Sequence, residues 1–380
     1  MCNLCFLPST GISARIFAKW LELPTLNEIN DLIETGFVQT TTRHTISLHP
    51  MIQEIALSET KPTISSSHTL LDSLQQICLV HGIEVDYYKK LFQTVGNIIE
   101  LIEKDDMPKY LLFLENVFPY MDNYNYQKGM KEIIQELKSL LKNKDIGIDS
   151  DRALLLDFQA TLETKPEKAM QLERDALALI AEITEENAHL ISNLHSNLGG
   201  LYRMNGYPDL AVEHMEKGLF LLEQCNLLYT HDGIPQATNY AMFLTEQQAP
   251  EKGISILQKL SKGIKEYNSD CCLDYATVQE TLGTIYLMTA NLPQAKTHFK
   301  RACKIYEKIW ADEPEMIEVK YQEIQELYPQ AGIALAQNIL YIINKFFTKT
   351  GVSPLLILKK ISHSCLFLLF HNIITDNNYR

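Results

Sequence analysis

A 42-residue period runs through the chain, and this feature restricts its fold more than any other. In the segment NLGGLYRMNGYPDLAVEHMEKGL, residues Leu198, Gly199, Tyr202, Ala211, Met215 and Gly218 are spaced as two helical faces around a turn. Two periods later, the segment TLGTIYLMTANLPQAKTHFKRAC keeps those offsets with Leu282, Gly283, Tyr286, Ala295, Phe299 and Ala302. Midway between them, NYAMFLTEQQAPEKGISILQKL supplies Tyr240, Ala241, Leu244, Gly253, Leu257 and Leu260. One step earlier, DRALLLDFQATLETKPEKAMQLERDA matches at Leu156, Ala160, Ala169 and Ala176, but has Asp157 at the small position and Glu173 at a large apolar one. A helical hairpin of this length cannot bury its apolar face alone, so a fixed period predicts hairpins stacked on their neighbours.

The repeated positions have a packing logic. Two antiparallel helices approach closely only where small residues sit at their crossing, here Gly199, Ala241 and Gly283 on first helices and Ala211, Gly253 and Ala295 on second helices. Tyr202 and Tyr286 then fill the space between hairpins. Turn-forming residues fall where the hairpins must reverse, at Asn205-Gly206-Tyr207-Pro208 and Asn291-Leu292-Pro293. The expected fold class is all-α, a solenoid of helical hairpins. Upstream, residues 67–79, 87–103, 107–119 and 126–141 also read as amphipathic helices, outside the 42-residue register. Downstream, 316–328 reads as one more first helix.

This pattern resembles the tetratricopeptide repeat family, in the 42-residue variety of kinesin-light-chain-like arrays, over about residues 150–311. The resemblance implies that first helices line a concave groove that takes a protein or peptide. The positions it assigns to the groove include Asn193, Asn197, Arg203 and Met204 in one copy, Thr238, Asn239, Met242 and Glu246 in the next, and Thr277 and Glu280 in the next. Asn197 and Asn239 share one repeat position. An amide carries donors and an acceptor, so a ladder of Asn can hold an extended backbone whatever its sequence. The alternative is a solvated or inter-repeat Asn. Arg203 is a candidate to orient a peptide carboxylate.

Residues 12–21 and 26–34 read as helices, 37–40 and 45–48 as a hairpin with Arg43 and His44 at its tip, and Pro50 opens a last helix. Thr25 or Asn27 is a candidate N-cap, and Gly36 a left-handed stop. The ordered string NEINDLIETGFVQ…ISLHPMIQEIA resembles the winged-helix domain of NB-ARC (STAND) signalling ATPases. That resemblance implies a nucleotide-sensing role for His49, which stands at the His of the family's Met-His-Asp motif between Leu48 and Pro50. No GxxxxGK[ST] loop occurs in the chain, and the stretch before Ile12 is too short for an ATPase core, so the NTPase is expected on a partner chain or lost. Within this chain alone, His49 reads as a residue packed beside a helix N-terminus.

Composition narrows the function classes. With 34 Lys+Arg against 47 Asp+Glu, the net charge of −13 argues against a dedicated nucleic-acid binder, and Glu28, Asp31 and Glu34 put carboxylates where a recognition helix needs cations. The 8 cysteines are irregularly spaced, which fits reduced thiols in a cytoplasmic protein; Cys2 and Cys5 lack a second ligand pair, so no metal is expected. His195 stands where Gln279 stands two copies later and reads as a packing residue. No catalytic constellation, cofactor site or membrane span is evident. The expected organisation is a winged-helix-like module over 1–60, a connector or degenerate repeats over 61–149, a repeat array over 150–333 and a divergent basic, apolar tail over 334–380. The expected function is a non-enzymatic peptide- or protein-binding scaffold, the sensor half of a STAND-type regulator; the alternatives are a peptide-responsive winged-helix transcription regulator and an in-trans subunit of a P-loop NTPase.

Overall fold

The computed structural model describes residues 2–40, 45–79, 85–230, 233–267, 269–311 and 316–328. Arg43, His44 and the 334–380 tail lie outside the described residues. The chain divides into two compact units, Met1–Ile183 and Thr184 onward. The expected array start at residue 150 therefore falls inside the first unit.

The first unit opens with a 3-10 turn, Cys2–Phe6, followed by β1 (Ile12–Ser13), α1 (Ala14–Trp20), α2 (Asn27–Glu34), β2 (Val38–Thr40), β3 (Thr45–Leu48) and α3 (Pro50–Thr60). The strands form an antiparallel sheet in the order β1-β3-β2, with Ile12 opposite Ile46 and Val38 opposite Leu48. Ile12 and Ser13, expected at the start of a helix, are instead drawn into this sheet. Gly11 explains why: its φ is +72°, and a Cβ there would lie 2.8 Å from the Ile46 carbonyl oxygen, so only glycine lets the chain turn into the strand. Gly36, at φ +78°, ends α2 in the left-handed conformation. The Thr25 hydroxyl accepts from the Asn27 N–H, while Leu26 occupies the N-cap itself.

Helices α4 (His68–Leu79), α5 (Val85–Leu101), α6 (Met107–Asn123) and α7 (Gln127–Leu140) follow, close to the expected spans. The exception is α6, which continues past Pro119. Tyr120 and Met121 beyond the proline are buried, so packing outweighs the one lost backbone hydrogen bond. A hairpin of α8 (Asp149–Leu162) and α9 (Pro166–Leu179) completes the unit. It carries the two anomalous residues, Asp157 and Glu173, at its crossing. Both are buried. Burial, the Asp157 charge and a hydrogen bond to Asp157 push the Glu173 carboxyl up to about 10, which keeps it protonated. Its Oε2 has no hydrogen-bond partner among the described residues.

Among its described residues the second unit contains three hairpins in register: α10 (Ala188–Met204) with α11 (Pro208–Gln224), α12 (Gly233–Glu246) with α13 (Pro250–Tyr267), and α14 (Leu273–Met288) with α15 (Leu292–Ile309). A helix over 316–328, labelled α16, follows. The 42-residue period is visible in the backbone. Gly206, Gln248 and Ala290 all have positive φ, at 78°, 63° and 60°. In each turn the next residue donates to the first helix, Tyr207 to Tyr202 O, Ala249 to Leu244 O and Asn291 to Tyr286 O, at 2.8–2.9 Å. This is a helix C-cap in which one left-handed residue satisfies a carbonyl that would otherwise be orphaned. Two of the three left-handed residues are not glycine, so the hairpin imposes the turn against local preference.

The crossings follow the same period. A Cβ on Gly199 would meet Met215 at 2.7 Å, one on Gly283 would meet the Phe299 ring at 2.7 Å, and one on Gly253 would meet the Ala241 carbonyl oxygen at 2.5 Å. Ala211, Ala241 and Ala295 are fully buried beside them. Tyr202 is buried and Tyr286 half-buried against the neighbouring cores.

Candidate functional site

The first helices α10, α12 and α14 carry the residues that the sequence assigns to a groove. Neighbouring first helices are joined by polar contacts. Gln236 of α12 donates from Nε2 to Asn193 Oδ1 at 2.6 Å and accepts from Ser192 Oγ at 2.7 Å. Gln236 and Ser192 are buried, so these bonds satisfy groups that would be costly to leave unpaired. Arg203 pairs with Glu246 of α12, and its guanidinium lies 5.7 Å from the centre of the Phe243 ring. Glu280 of α14 accepts from Tyr306 OH at 2.7 Å and pairs with Lys320 of α16 at 3.5 Å.

These contacts sort the expected groove residues. Asn197 and Asn239 are exposed at equivalent positions of α10 and α12. Asn193 is taken up by Gln236 and by a 3.1 Å contact with His189 Nε2, which is the inter-repeat role weighed above. The Arg203 guanidinium already has a carboxylate partner in Glu246. Met242 is half-buried against the core of α12–α15. Thr238 departs from expectation: it is buried, and its hydroxyl donates to the carbonyls of its own helix at Ile234 and Pro235. Its helix, α12, lies between the flanking hairpins, and Thr245 is closed off in the same way. Glu246, assigned to the groove, instead pairs with Arg203, and Gln236 is the polar contact that repeat spacing did not single out. A Gln in an otherwise apolar helical stretch was the available signal for Gln236.

A polar pair recurs inside alternate hairpins. His195 Nδ1 and His214 Nδ1 share a hydrogen bond of 2.9 Å, and two periods later His298 Nδ1 and Gln279 Oε1 do the same at 2.9 Å. His195 is thus a packing residue that ties first helix to second. Burial, followed by the charges of His214 and Lys217, lowers it from the ordinary 6.5 to about 4. Since the folded value lies below the unfolded one, the unfolded chain takes up the proton first as pH falls, and stability is lost between about 6.5 and 4. The ring is only half-buried, so screening limits the effect to about 1 kcal/mol. Replacement by the residue that holds the equivalent place, His195→Gln, is expected to remove that loss, measured as the difference in urea midpoint between pH 7 and pH 5 for variant and wild type.

His49 is exposed at the N-cap of α3, where its Nδ1 accepts from the Met51 N–H at 3.3 Å. The cap requires an unprotonated Nδ1. Among the described residues no group of three or more His, Cys, Asp or Glu is arranged to hold a metal, and no helix is long and apolar enough to cross a membrane.

The tetratricopeptide repeat profile matches residues 234–308, the stretch from α12 to α15. No curated protein matches the chain. Among solved structures, it is similar to the TPR-like repeats of a kinesin-light-chain-type protein from Podosopora anserina, with 14% identity and a TM-score of 0.43 over 54% of this chain and 99% of the other. It is also similar to BtubC (BKLC) from P. vanneervenii, with 16% identity and a TM-score of 0.40 over 65% and 94%. A Rap protein solved with Competence and Sporulation Factor gives 16% identity and a TM-score of 0.40 over 72% and 78%. Residues 234–308 carry the tetratricopeptide pattern, in two hairpins that share turn and crossing geometry with the hairpin before them.

Proposed function

We propose that the chain is a non-enzymatic repeat scaffold that holds an extended protein segment or peptide on the face formed by α10, α12 and α14. The observation that carries this reading is the pair Asn197 and Asn239, exposed at one repeat position on consecutive first helices. Asn193, Arg203 and Glu280 on the same helices make contacts between helices or hairpins, which supports a stiff platform for the two exposed amides. Amide ladders suit a polypeptide backbone, which offers a donor and an acceptor at every residue.

The finer part of the proposal is a STAND-type sensor, with a P-loop NTPase as the partner that the N-terminal module addresses. The β1-β3-β2 sheet framed by α1, α2 and α3, with His49 at the start of α3, supports a winged-helix role for that module. A DNA-binding role is disfavoured by Glu28, Asp31 and Glu34, all exposed on α2.

The test is partner capture by the full chain from a lysate of its source. The double variant Asn197→Ala/Asn239→Ala is expected to lose most of a reproducibly captured protein, about tenfold or more, while helicity and melting temperature stay within a degree or two of wild type. Unchanged capture would overturn the assignment of the amides.

A further inference from the structure

A second candidate site lies in the first unit. Helices α7, α8 and α9 enclose an open cleft of about 1230 Å³. That exceeds the roughly 300–1,000 Å³ of a small-molecule pocket, and its open form suits side chains carried on a polypeptide. Its apolar lining includes Leu156, Leu162, Leu172 and Leu179, all half-buried and therefore still presenting apolar surface. Around them stand Lys131, Lys138, Lys142 and Lys168, all exposed.

The charges on this lining are unequal in sign and in availability. Arg152 also borders the cleft, but its guanidinium is spent on the carbonyl oxygens of Gly147 and Ile146, at 3.2 and 3.0 Å. The one acid among the lining residues, Glu163, accepts from the Lys165 backbone N–H. Lys131, Lys138 and Lys142 make no ion pair among the described residues, whereas Lys104 and Lys128 nearby are each paired with a glutamate. A basic rim of this kind is unusual in a chain of net charge −13.

We infer that the α7–α9 cleft docks an acidic amphipathic helix from a partner protein. Leucine-type side chains at i, i+4 and i+7 would enter the cleft, and carboxylates on their flanks would meet the lysines. The chain's own 334–380 segment has the wrong sign for this rim, with five Lys/Arg against one Asp. The second basic surface of the molecule is a useful contrast. Helix α15 exposes Lys300, Arg301, Lys304 and Lys308, four cations on a helix that does not line the cleft.

The experiment is fluorescence anisotropy on the full chain with a labelled Leu/Glu/Ala peptide of about 15 residues, leucines at i, i+4 and i+7, against a scrambled peptide of equal composition. Saturable binding is expected for the patterned peptide only, weakening as salt rises. Lys138→Glu/Lys142→Glu is expected to weaken it about tenfold or more, and Leu172→Gln to weaken it severalfold at unchanged charge. Lys300→Glu/Lys304→Glu on α15 and Asn197→Ala/Asn239→Ala on the proposed groove are expected to leave it within about twofold. The inference is overturned by an absence of saturable binding, by equal binding of the scrambled peptide, by preference for a single-stranded oligonucleotide, or by loss in the α15 variant without loss in the cleft variant. Because the Asn pair is a separate arm, failure of the cleft and failure of the groove are told apart.

Discussion

Gly253→Ala is expected to destabilise the second unit by about 2–3 kcal/mol, although the same change in an isolated helix would stabilise it by about 0.5–1 kcal/mol. The sign is reversed by one contact. The added Cβ would lie 2.5 Å from the Ala241 carbonyl oxygen and 3.2 Å from its carbonyl carbon. Both are backbone atoms of the partner helix and cannot move aside as a side-chain end would. The hairpin must open along α12 and α13, loosening contacts around Leu257 and Leu260, which are fully buried. For an array of this size the expected shift is roughly 5–10 °C in melting temperature. Gly200 is the control within the same repeat family. A Cβ there meets nothing within 4 Å, so Gly200→Ala is expected to leave stability unchanged or raise it by up to about 1 kcal/mol. Destabilisation of similar size at both glycines would contradict a packing role tied to the crossing.

The second large effect concerns the crossing of α8 and α9. Glu173→Gln is expected to stabilise the first unit at pH 7 by about 3 kcal/mol, the order set by a carboxyl that must hold its proton against solvent at that pH. Folding holds the Glu173 carboxyl protonated, whereas the unfolded chain releases that proton above the ordinary 4.5. The folded value is the higher one, so this group's contribution is most favourable below about 4.5 and becomes less so as pH rises toward 10. Each pH unit in that window costs about 1.4 kcal/mol for a fully coupled group. The amide keeps a donor for Asp157 and carries no proton to lose. Wild type and variant should therefore converge in stability near pH 4.5 and diverge as pH rises, read from urea midpoints across that range. Parallel curves would show that Glu173 is not held protonated. The repeat pattern suggests the complementary exchange: Asp157→Gly with Glu173→Met restores the pair that α10–α11 uses, Gly199 against Met215, and is expected to stabilise further.

Most of the second unit was legible in the sequence because its constraints are local and periodic. Small residues at the crossings, such as Gly199, Ala211 and Gly283, keep a fixed spacing, since the close approach of two helices leaves no other choice. The left-handed turn was legible at Gly206 and hidden at Gln248 and Ala290, where tertiary packing imposes a conformation the residue type does not advertise. Strand β1 was hidden for a different reason. Two residues carry no readable period, and their pairing with Thr45 and Ile46 depends on a segment far along the chain. The proposed groove was legible only in part. Register places Thr238 with Glu280, but the crowding of α12 by both neighbouring hairpins buries it. Contacts such as Gln236 with Asn193 depend on which rotamers can reach across, and spacing alone does not encode that.

The measurement that bears most directly on the central claim is hydrogen–deuterium exchange on the full chain with and without its captured protein partner. The account predicts added protection along the exposed faces of α10, α12 and α14, including the peptides that contain Asn197 and Asn239, with α11, α13 and α15 unchanged. Protection confined to the second helices, or absent from both Asn-bearing segments while the partner is bound, would contradict it.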